Sequence, residues 1–475
     1  MRSSKKHKKS SISILNKFSI EKITRKIEGY GYEYSLGKYM AHRAIALAAA
    51  IVMSIVFSLE ISKVIILLIA VLAAFPAILL SQFAYLNNND RFENIVNYLD
   101  QMIISFKQSP KILTALESTL DLVDGEMKRC VNEAIAIIIN DSETVNVYEK
   151  AFKVIEKEFR CSRIATLHRF IINVERENSV NYQQSIDTLY FDIRSWVTRT
   201  YQYQKELKSV KSKIVLIIGI SVGIAGVFTM LLGNAEEQLN KNYEIQILGS
   251  EIYQISTLIL FISFIGIYTF LNSKITGNWL INDLDNKKEK LIAGYIKKVN
   301  ADIKRKGFIP KPGMKRRKKA VEKELCKEFP VWLRDLAINL NHMVVIKAIT
   351  NSLNYCSEIM KAFVSDFLKE VEKDPNSIRP YINFLGIYNV KELQTAFKTL
   401  YSIRMMSAED SQRQINDLVS RNQQLLETSE RIRNEDSISY VSFISMIPML
   451  ILSFKLICDL GIMLFAFLSL SKGVM

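Results

Sequence analysis

Histidine, cysteine, proline and glycine are scarce in this sequence of 475 residues, which has 4 His, 5 Cys, 8 Pro and 17 Gly. So little glycine and proline excludes collagen-like and low-complexity polymers. No two histidines stand at i and i+4 and no CxxC pair occurs, so a zinc site would need ligands from unlinked parts of the chain. We therefore expect no metal ion and no cofactor. The cysteines are scattered and odd in number, which is typical of reduced thiols in a cytoplasmic setting: Cys130, Cys161, Cys326, Cys356 and Cys458.

The common catalytic motifs GxSxG, HExxH and GxGxxG do not occur in the sequence. One stretch, residues 31–39, resembles a phosphate-binding loop at first sight. It has five residues between its glycines instead of four, and Tyr39 stands where a Ser or Thr would bind magnesium. It also precedes an apolar helix and follows no strand. We expect that the chain is not an enzyme and, in particular, not an ATPase.

Long apolar runs are the main feature that is present. Those at 44–59, 64–86, 214–233 and 252–271 contain no charged residue and are suited to crossing a bilayer as helices. The last run, 440–470, is interrupted by Lys455 and Asp459. Two short spans that meet at these two residues are the favoured interpretation, because each charge at the bilayer centre costs about 3 kcal/mol. The alternative is one long tilted helix in which Lys455 and Asp459 pair at i and i+4. The favoured interpretation predicts about six transmembrane helices in three hairpins.

Charge around the apolar runs predicts their orientation. Residues 1–43 carry 11 Lys/Arg against 3 Glu, and residues 273–328 carry 17 Lys/Arg against 7 acids. The loop at 234–251 has four Glu and one Lys instead. Because basic segments stay in the cytoplasm, both large polar regions, 87–213 and 273–439, are expected there. We predict a multi-pass protein of the inner (cytoplasmic) membrane with most of its polar mass in the cytoplasm and no ectodomain.

The densest basic run is Lys315, Arg316, Arg317, Lys318 and Lys319. In one interpretation it sets topology and contacts anionic lipid headgroups, and in another it binds a protein partner. Nucleic acid is disfavoured as a partner, because the aromatic side chains on which bases stack do not interleave with these cations. We predict a partner-binding surface at this run and no nucleic acid binding.

Both large polar regions have the apolar periodicity of helices, and strand-like alternation is hard to find. An apolar stripe at helical spacing begins at Phe92, and a similar stripe begins at Phe329, a shift of 237 residues. Residues 113–120 match residues 346–353 at a shift of 233, and the shift is 229 nearer the following apolar run. The sequence therefore predicts an all-α chain with two cytoplasmic helical bundles related by internal duplication.

A helical domain followed by a membrane hairpin, present twice in one polytopic chain, resembles the type II secretion F family. Its members are inner-membrane platform proteins of type II secretion systems, type IV pili, Tad pili and archaella. The Leu/Ile-x-Ala-Leu/Ile-x-x-Ser/Thr-Leu stretches at 113–120 and 346–353 resemble the second domain helix of that family, and Pro448 resembles its C-terminal membrane region. The resemblance covers residues 90–470, and the additional hairpin at 44–86 is more like the Tad and archaeal branches. The Gly-rich turn that usually precedes the second helix is missing here.

The resemblance implies a mechanical role without catalytic residues. Such platforms engage a separate cytoplasmic hexameric ATPase, and their motion is thought to lift pilin-like subunits out of the bilayer into a growing fibre. For this chain the resemblance implies a cytoplasmic assembly ATPase and pilin-like subunits as partners. The basic run at 315–319 offers charge complementarity to an acidic surface of that ATPase.

Gly219 and Gly223 form a GxxxG pattern in the third apolar run. This spacing permits close helix approach, either within one chain or with a second protomer in a homodimer or higher homo-oligomer. A transporter component is the main alternative function, since six spans are common among transporters. Transport needs ionisable groups near the membrane midplane, and Lys455 and Asp459 are the candidates that the sequence offers.

Seven segments follow from these interpretations. They are a basic cytoplasmic N-terminal segment at 1–43, transmembrane hairpin 1 at 44–86, cytoplasmic helical domain 1 at 87–213, transmembrane hairpin 2 with a short acidic external loop at 214–272, a basic cytoplasmic linker at 273–328, cytoplasmic helical domain 2 at 329–439 and transmembrane hairpin 3 at 440–475.

Overall fold

The computed structural model describes residues 20–140, 146–177, 182–240, 246–276, 286–304, 313–340, 343–354, 356–388, 390–406 and 408–473. All regular secondary structure in these residues is α-helical, as the sequence predicts. Residues 1–19 of the predicted N-terminal segment, and 277–285 and 305–312 of the predicted linker, lie outside the described residues. The helices are α1 (Ile20–Glu28), α2 (Leu36–Val56), α3 (Ile61–Gln108), α4 (Ile112–Leu120), α5 (Gly125–Asn140), α6 (Val147–Phe159), α7 (Ser162–Glu177), α8 (Gln183–Asn240), α9 (Glu251–Ile275), α10 (Asn286–Lys304), α11 (Met314–Leu340), α12 (Val345–Ser352), α13 (Glu358–Lys373), α14 (Arg379–Asn383), α15 (Lys391–Met405), α16 (Ala408–Ser445) and α17 (Ile447–Gly473).

Five stretches of helix in the described residues are long and apolar enough to cross a membrane. Many of their large apolar side chains are exposed, such as Ile55, Ile61 and Phe465, each at least 72% accessible. Side chains of this kind are stable against lipid and unfavourable in water. The chain therefore has the features of a multi-pass membrane protein. The stretches are Leu36–Val56, Ile61–Gln108, Ser185–Leu239, Glu251–Ile275 and Ile438–Leu468.

The final apolar run has no turn at Lys455 and Asp459. Helix α17 continues through Lys455 and Asp459 without a break, and the helix interruption lies earlier, at Met446. The Lys455 Nζ atom is 2.5 Å from Asp459 Oδ2. Because the two charges neutralise each other on one helix face, no turn is needed to bring them to the membrane surface. The predicted turn at Lys455–Asp459 is therefore wrong, and the described residues contain five candidate spans, not six.

The chain divides into two compact units. The membrane unit comprises residues 1–91, 202–279 and 436–475, and the helical unit comprises residues 92–201 and 280–435. The unit boundaries fall inside α3, α8 and α16, so each of these helices belongs to both units. The longest of them, α8, has 58 residues, which corresponds to a length of about 87 Å at 1.5 Å per residue.

The membrane unit is held together by small apolar clusters between its helices. Helix α17 packs along α9, where Leu452 contacts the cluster of Leu260, Phe261 and Phe264. The N-terminal helix α1 buries Ile23 and Ile27 in a cluster with Leu79 of α3. Polar groups at the helix ends find local partners, as where Ser250 Oγ accepts from Tyr253 N in the cap of α9. These contacts leave the rest of each span to lipid.

The helical unit has an aromatic core in its second half. Phe329 and Trp332 on α11 pack against Phe384, which follows α14, and against Phe397 on α15. The Trp332 Nε1–H donates to Ser352 Oγ at 2.8 Å, which satisfies the one polar atom of the indole. Aromatic side chains supply a large share of the buried area in such a core.

We predict that Phe397→Ala destabilises the helical unit strongly, because the side chain is fully buried among aromatic neighbours. Removing it leaves a cavity, and the expected loss is about 3–5 kcal/mol. Thermal unfolding of the purified protein in detergent measures the change. Phe191→Ala is the matched control, since Phe191 is 57% exposed; equal effects of the two substitutions would contradict the packing described.

Candidate functional site

The predicted basic run lies in the first turns of α11. Lys315, Arg316 and Lys319 are exposed, whereas Arg317 and Lys318 are partly buried. The Lys318 Nζ atom is 3.8 Å from Glu322. Cations at a helix N-terminus oppose the positive end of the helix dipole, so helix stability does not explain their position. The exposed side chains of Lys315, Arg316 and Lys319 are accessible to a molecule of opposite charge.

The two glycines of the GxxxG pattern lie on an open face of α8. Gly219 and Gly223 are exposed, and a Cβ atom added at either would meet no atom within 4 Å. One turn further, a Cβ at Gly226 would lie 3.9 Å from the Phe57 ring. Close helix packing within the chain is therefore not seen at Gly219 and Gly223 among the described residues.

A set of paired charges, here called the charged seam, runs through the helical unit. At its centre is Arg334 of α11, which is 7% exposed. Its guanidinium contacts Asp192 of α8 at 3.3 Å and Asp335 at 2.9 Å, and donates to Thr166 Oγ1 of α7 at 3.1 Å. The full set is Arg163, Arg169, Arg199, Arg334, Asp192, Asp335, Glu427 and Glu430.

The second half of the charged seam is centred on Glu430 of α16. Its two carboxylate oxygens accept from Arg163 at 2.7 Å and from Arg199 at 2.8 Å. Arg199 also contacts Glu427 at 3.2 Å. The Arg163 guanidinium lies 5.0 Å from the centre of the Trp196 ring, a cation–π distance. The edges of the planar Arg163 and Arg199 guanidinium groups thus bind carboxylates, and the face of the Arg163 group stacks on an aromatic ring.

Charge in the seam is balanced, with four arginines and four acids. Burial by itself raises the pKa of Asp335, but Arg334 and Arg169 outweigh it and hold that pKa below its ordinary value. Asp335 therefore stays ionised and keeps both arginines paired. Removing one partner of a buried charge pair strongly destabilises the folded protein, because the other charge is left buried and unpaired.

The charged seam joins the two halves of the helical unit. Its residues come from α7 and α8 on one side and from α11 and α16 on the other. Both α8 and α16 continue into apolar segments suited to a membrane. The seam supplies fixed charges and hydrogen bonds between these helices. Within the described residues, no group of three or more His, Cys, Asp or Glu side chains could hold a metal ion.

A cavity of about 290 Å³ lies beside the seam, and its walls are rich in amide side chains. Thr166, Arg169 and Asp335 of the seam region line it, and α6 contributes Glu149. The amides that line it are Asn173, Asn339, Asn351 and Asn354. Asn173 Nδ2 and Asn339 Oδ1 are 3.4 Å apart, so the amides partly satisfy one another.

A chain of three polar side chains, of which Tyr98 and His168 are buried and Glu156 is partly exposed, lies elsewhere in the helical unit. The Tyr98 hydroxyl is 2.7 Å from His168 Nε2, and His168 Nδ1 is 2.8 Å from Glu156 Oε1. The Phe152 ring stacks on the imidazole with centroids 3.8 Å apart. Burial, which outweighs the Glu156 carboxylate, lowers the pKa of His168. The imidazole is therefore neutral at neutral pH.

A second polar cluster, here called the membrane node, lies among the apolar helices of the membrane unit. The Lys455 ammonium is 4.5 Å from the centre of the Tyr253 ring and pairs with Asp459. The Tyr253 hydroxyl donates to the Phe57 carbonyl at 3.1 Å and is 3.0 Å from Thr229 Oγ1. One node thus connects residues at the end of α2 and on α8, α9 and α17.

Sequence reasoning found only part of these sites. Lys455 and Asp459 were identified, but their i, i+4 pairing was the less favoured interpretation. The charged seam was missed, although one signal exists: Arg334 and Asp335 stand directly beside the apolar positions Leu333 and Leu336. Charged residues next to a helix's apolar stripe indicate buried pairing. The partners could not be found from the sequence, because they lie 142 or more residues away.

Comparison with known proteins identifies no relative: no protein-family model, curated protein or solved structure matches the chain. The case for a function therefore rests on the residues of the chain itself.

We predict that Arg334→Met destabilises the helical unit by about 3–5 kcal/mol, because Asp192 loses its buried cation. Thermal unfolding measures the change, and Arg431→Met serves as the control. Arg431 and its partner Glu435 are both well exposed and 3.7 Å apart, so this substitution should have little effect. A loss for Arg334→Met no larger than for the control would contradict the seam.

We also predict that stability falls as the pH is lowered from 7.5 to 5.5. Since burial lowers the pKa of His168 in the folded state, the unfolded chain binds the proton more readily below pH 6.5. The slope from this one proton is at most about 1.4 kcal/mol per pH unit. Comparing the pH dependence of unfolding with that of His168→Gln isolates the effect. If both proteins show the same slope, His168 is not responsible.

Proposed function

We propose that this chain is a non-enzymatic platform protein of the inner (cytoplasmic) membrane and a member of the type II secretion F family. In this proposal it couples a cytoplasmic assembly ATPase to the extraction and assembly of pilin-like subunits in a type IV filament or type II secretion-like machine. The proposal rests on one observation: the chain contains two successive sets of helices with matching bounds, each followed by a membrane span.

The matching bounds support an internal duplication. Helix α4 begins at Ile112 and α12 at Val345, and α5 begins at Gly125 and α13 at Glu358, both at a shift of 233. Helices α7 and α15 begin at a shift of 229, at Ser162 and Lys391. These are the shifts that relate the two apolar patterns in the sequence. Helix α5 and helix α13 also have the same length, 16 residues.

Burial at matched positions supports the same proposal. In eight of the aligned pairs, both partners are core residues, each at most 4% exposed. Two unrelated amphipathic helices can align in one short register, but agreement at several separate helices favours duplication. The pairs are Phe92/Phe329, Leu99/Leu336, Ala115/Ala348, Leu116/Ile349, Met127/Met360, Val131/Val364, Ile186/Ile415 and Leu189/Leu418.

The continuity of the helices suits a protein that transmits motion. Helix α8 passes from the helical unit into an apolar span, and α16 leads into α17 with one interruption at Met446. An unbroken helix resists bending, so displacement of its polar end is passed to its apolar end. The charged seam pairs α8 with α11 and α16, which suits joint movement of the two halves of the helical unit.

In the proposed orientation, the N-terminal segment and both polar regions lie in the cytoplasm, as the distribution of Lys and Arg indicates. Five spans then place the C-terminus on the opposite side of the membrane from the two polar regions. The acidic loop around Glu236 and Glu251 lies on that same outer side. In this arrangement the proposed ATPase-binding surface lies in the cytoplasm, the same compartment as the proposed ATPase.

Four kinds of partner fit the proposal. The exposed cations at 315–319 suit an acidic surface of the ATPase or anionic lipid headgroups. Pilin-like subunits would meet the apolar helices within the bilayer. The open face at Gly219 and Gly223 suits a second copy of the chain, because small residues let two helices approach closely.

A transporter component is the alternative function, and the structure adds one observation in its favour. Lys455 and Asp459 are buried side chains inside a single apolar helix, and ionisable residues in such a position often serve transport. The short distance between them argues for mutual neutralisation instead of substrate binding.

The test of the proposal is affinity purification of the tagged protein from its own cells, with light crosslinking and mass spectrometry. We expect a P-loop secretion ATPase and pilin-like subunits to be recovered. Recovery of a substrate-binding protein or a nucleotide-binding transport subunit instead would contradict the proposal and favour the transporter.

A charge-reversal variant tests the partner surface. We expect Lys315→Glu, Arg316→Glu and Lys319→Glu together to lower ATPase recovery by about tenfold, or about 1.4 kcal/mol, because three exposed cations reverse sign. Lys347→Glu, Lys369→Glu and Lys373→Glu reverse three other exposed lysines and serve as the control. Equal ATPase recovery with both variants would mean that the basic run does not bind the ATPase and acts only as a topology signal.

A further inference from the structure

The membrane node contains a charge pair that is sealed from solvent. Lys455 and Asp459 are both 0% exposed, and their Nζ and Oδ2 atoms are 2.5 Å apart. The face of the Tyr253 ring covers the ammonium at 4.5 Å. The pair therefore lies against α9 and not toward lipid.

Hydrogen bonding of this pair is incomplete. Asp459 Oδ1 is buried and has no hydrogen-bond partner in the described part of the chain. Removing two charges from water is expensive, and the attraction between them repays that cost only when the remaining lone pairs and protons are satisfied. Apolar residues of similar size at 455 and 459 would pack in lipid without such a cost. The pair is thus hard to explain as a source of stability.

The apolar contacts around the membrane node only weakly fix the position of α17 along α9. Leu452 packs against Leu260, Phe261 and Phe264, and Ala466 packs near Tyr253. Within a bilayer, lipid tails are as apolar as leucine, so apolar contacts alone do not favour one helix alignment strongly. A shift of α17 by one turn, about 5.4 Å, would instead move the Lys455 ammonium away from Tyr253.

We propose that Lys455 and Asp459 form a polar lock that fixes the register of α17, meaning its height and rotation, against α9. The lock also involves α8 and the end of α2, because the Tyr253 hydroxyl donates a hydrogen bond to the Phe57 carbonyl and lies 3.0 Å from Thr229 Oγ1. A protein that retains such a pair gives up stability and gains a single arrangement of its last span. The lock does not depend on the proposed platform function.

The test compares two variants that affect stability and register differently. Asp459→Asn removes one charge and leaves the buried ammonium of Lys455 unpaired. The double variant Lys455→Met with Asp459→Leu removes both charges and keeps similar volumes. Ser453→Ala is the control, since Ser453 lies on the same helix and is exposed.

Two measurements on the full-length protein in detergent separate the possibilities. Thermal unfolding reports stability, and the rate of maleimide labelling at the native, partly buried Cys458 reports the register. We expect Asp459→Asn to lower the unfolding temperature. We expect the double variant to unfold at or above the wild-type temperature and yet to label at Cys458 several-fold faster or slower. The control should match the wild type in both measurements.

Two results would overturn the lock. If the double variant keeps the wild-type labelling rate, the apolar contacts are sufficient to set the register. If it loses as much stability as Asp459→Asn, the pair is an ordinary stabilising contact.

Discussion

The architecture depends on one requirement, that a charge removed from water must be neutralised by a close neighbour. In the membrane unit this requirement is met by Lys455 and Asp459, which stand four residues apart and pair at 2.5 Å. Their pairing allows one apolar helix to contain two ions without turning back. The helix that contains both charges belongs to one of the five described stretches that are long and apolar enough to cross a membrane. An unpaired charge in lipid has no such neighbour and keeps the full free-energy cost of leaving water.

The helical unit meets the same requirement over a larger surface. Arg334 stands between Asp192 and Asp335, and Glu430 stands between Arg163 and Arg199. Each carboxylate or guanidinium in these contacts comes from a helix that also packs in the helical unit. Because α8 and α16 both belong to the seam and both continue into apolar segments, the paired charges lie on the helices that link polar and apolar parts of the chain. This is the physical basis for proposing a mechanical role.

Sequence reasoning succeeded where the pattern is local. Apolar runs and helical periodicity predicted the all-α fold, whereas the internal duplication stays a prediction. It failed at Lys455 and Asp459, because the cost of a lone charge in lipid was applied to two charges that are in fact paired. It could not find the charged seam, since Asp192 and Arg334 meet only through the fold. The GxxxG pattern allowed packing within the chain or against a second copy; Gly219 and Gly223 lie on an open face, and packing against a second copy stays a prediction.

The most direct test of this account is the location of the C-terminus relative to the membrane. Reporter fusions after residue 475 and within the loop at 234–251, one active only in the cytoplasm and one active only outside, give the answer in living cells. A single final span predicts that the C-terminus lies outside with that loop. A C-terminus in the cytoplasm would mean that the chain turns back within the last apolar run, and it would contradict the paired helix on which the account rests.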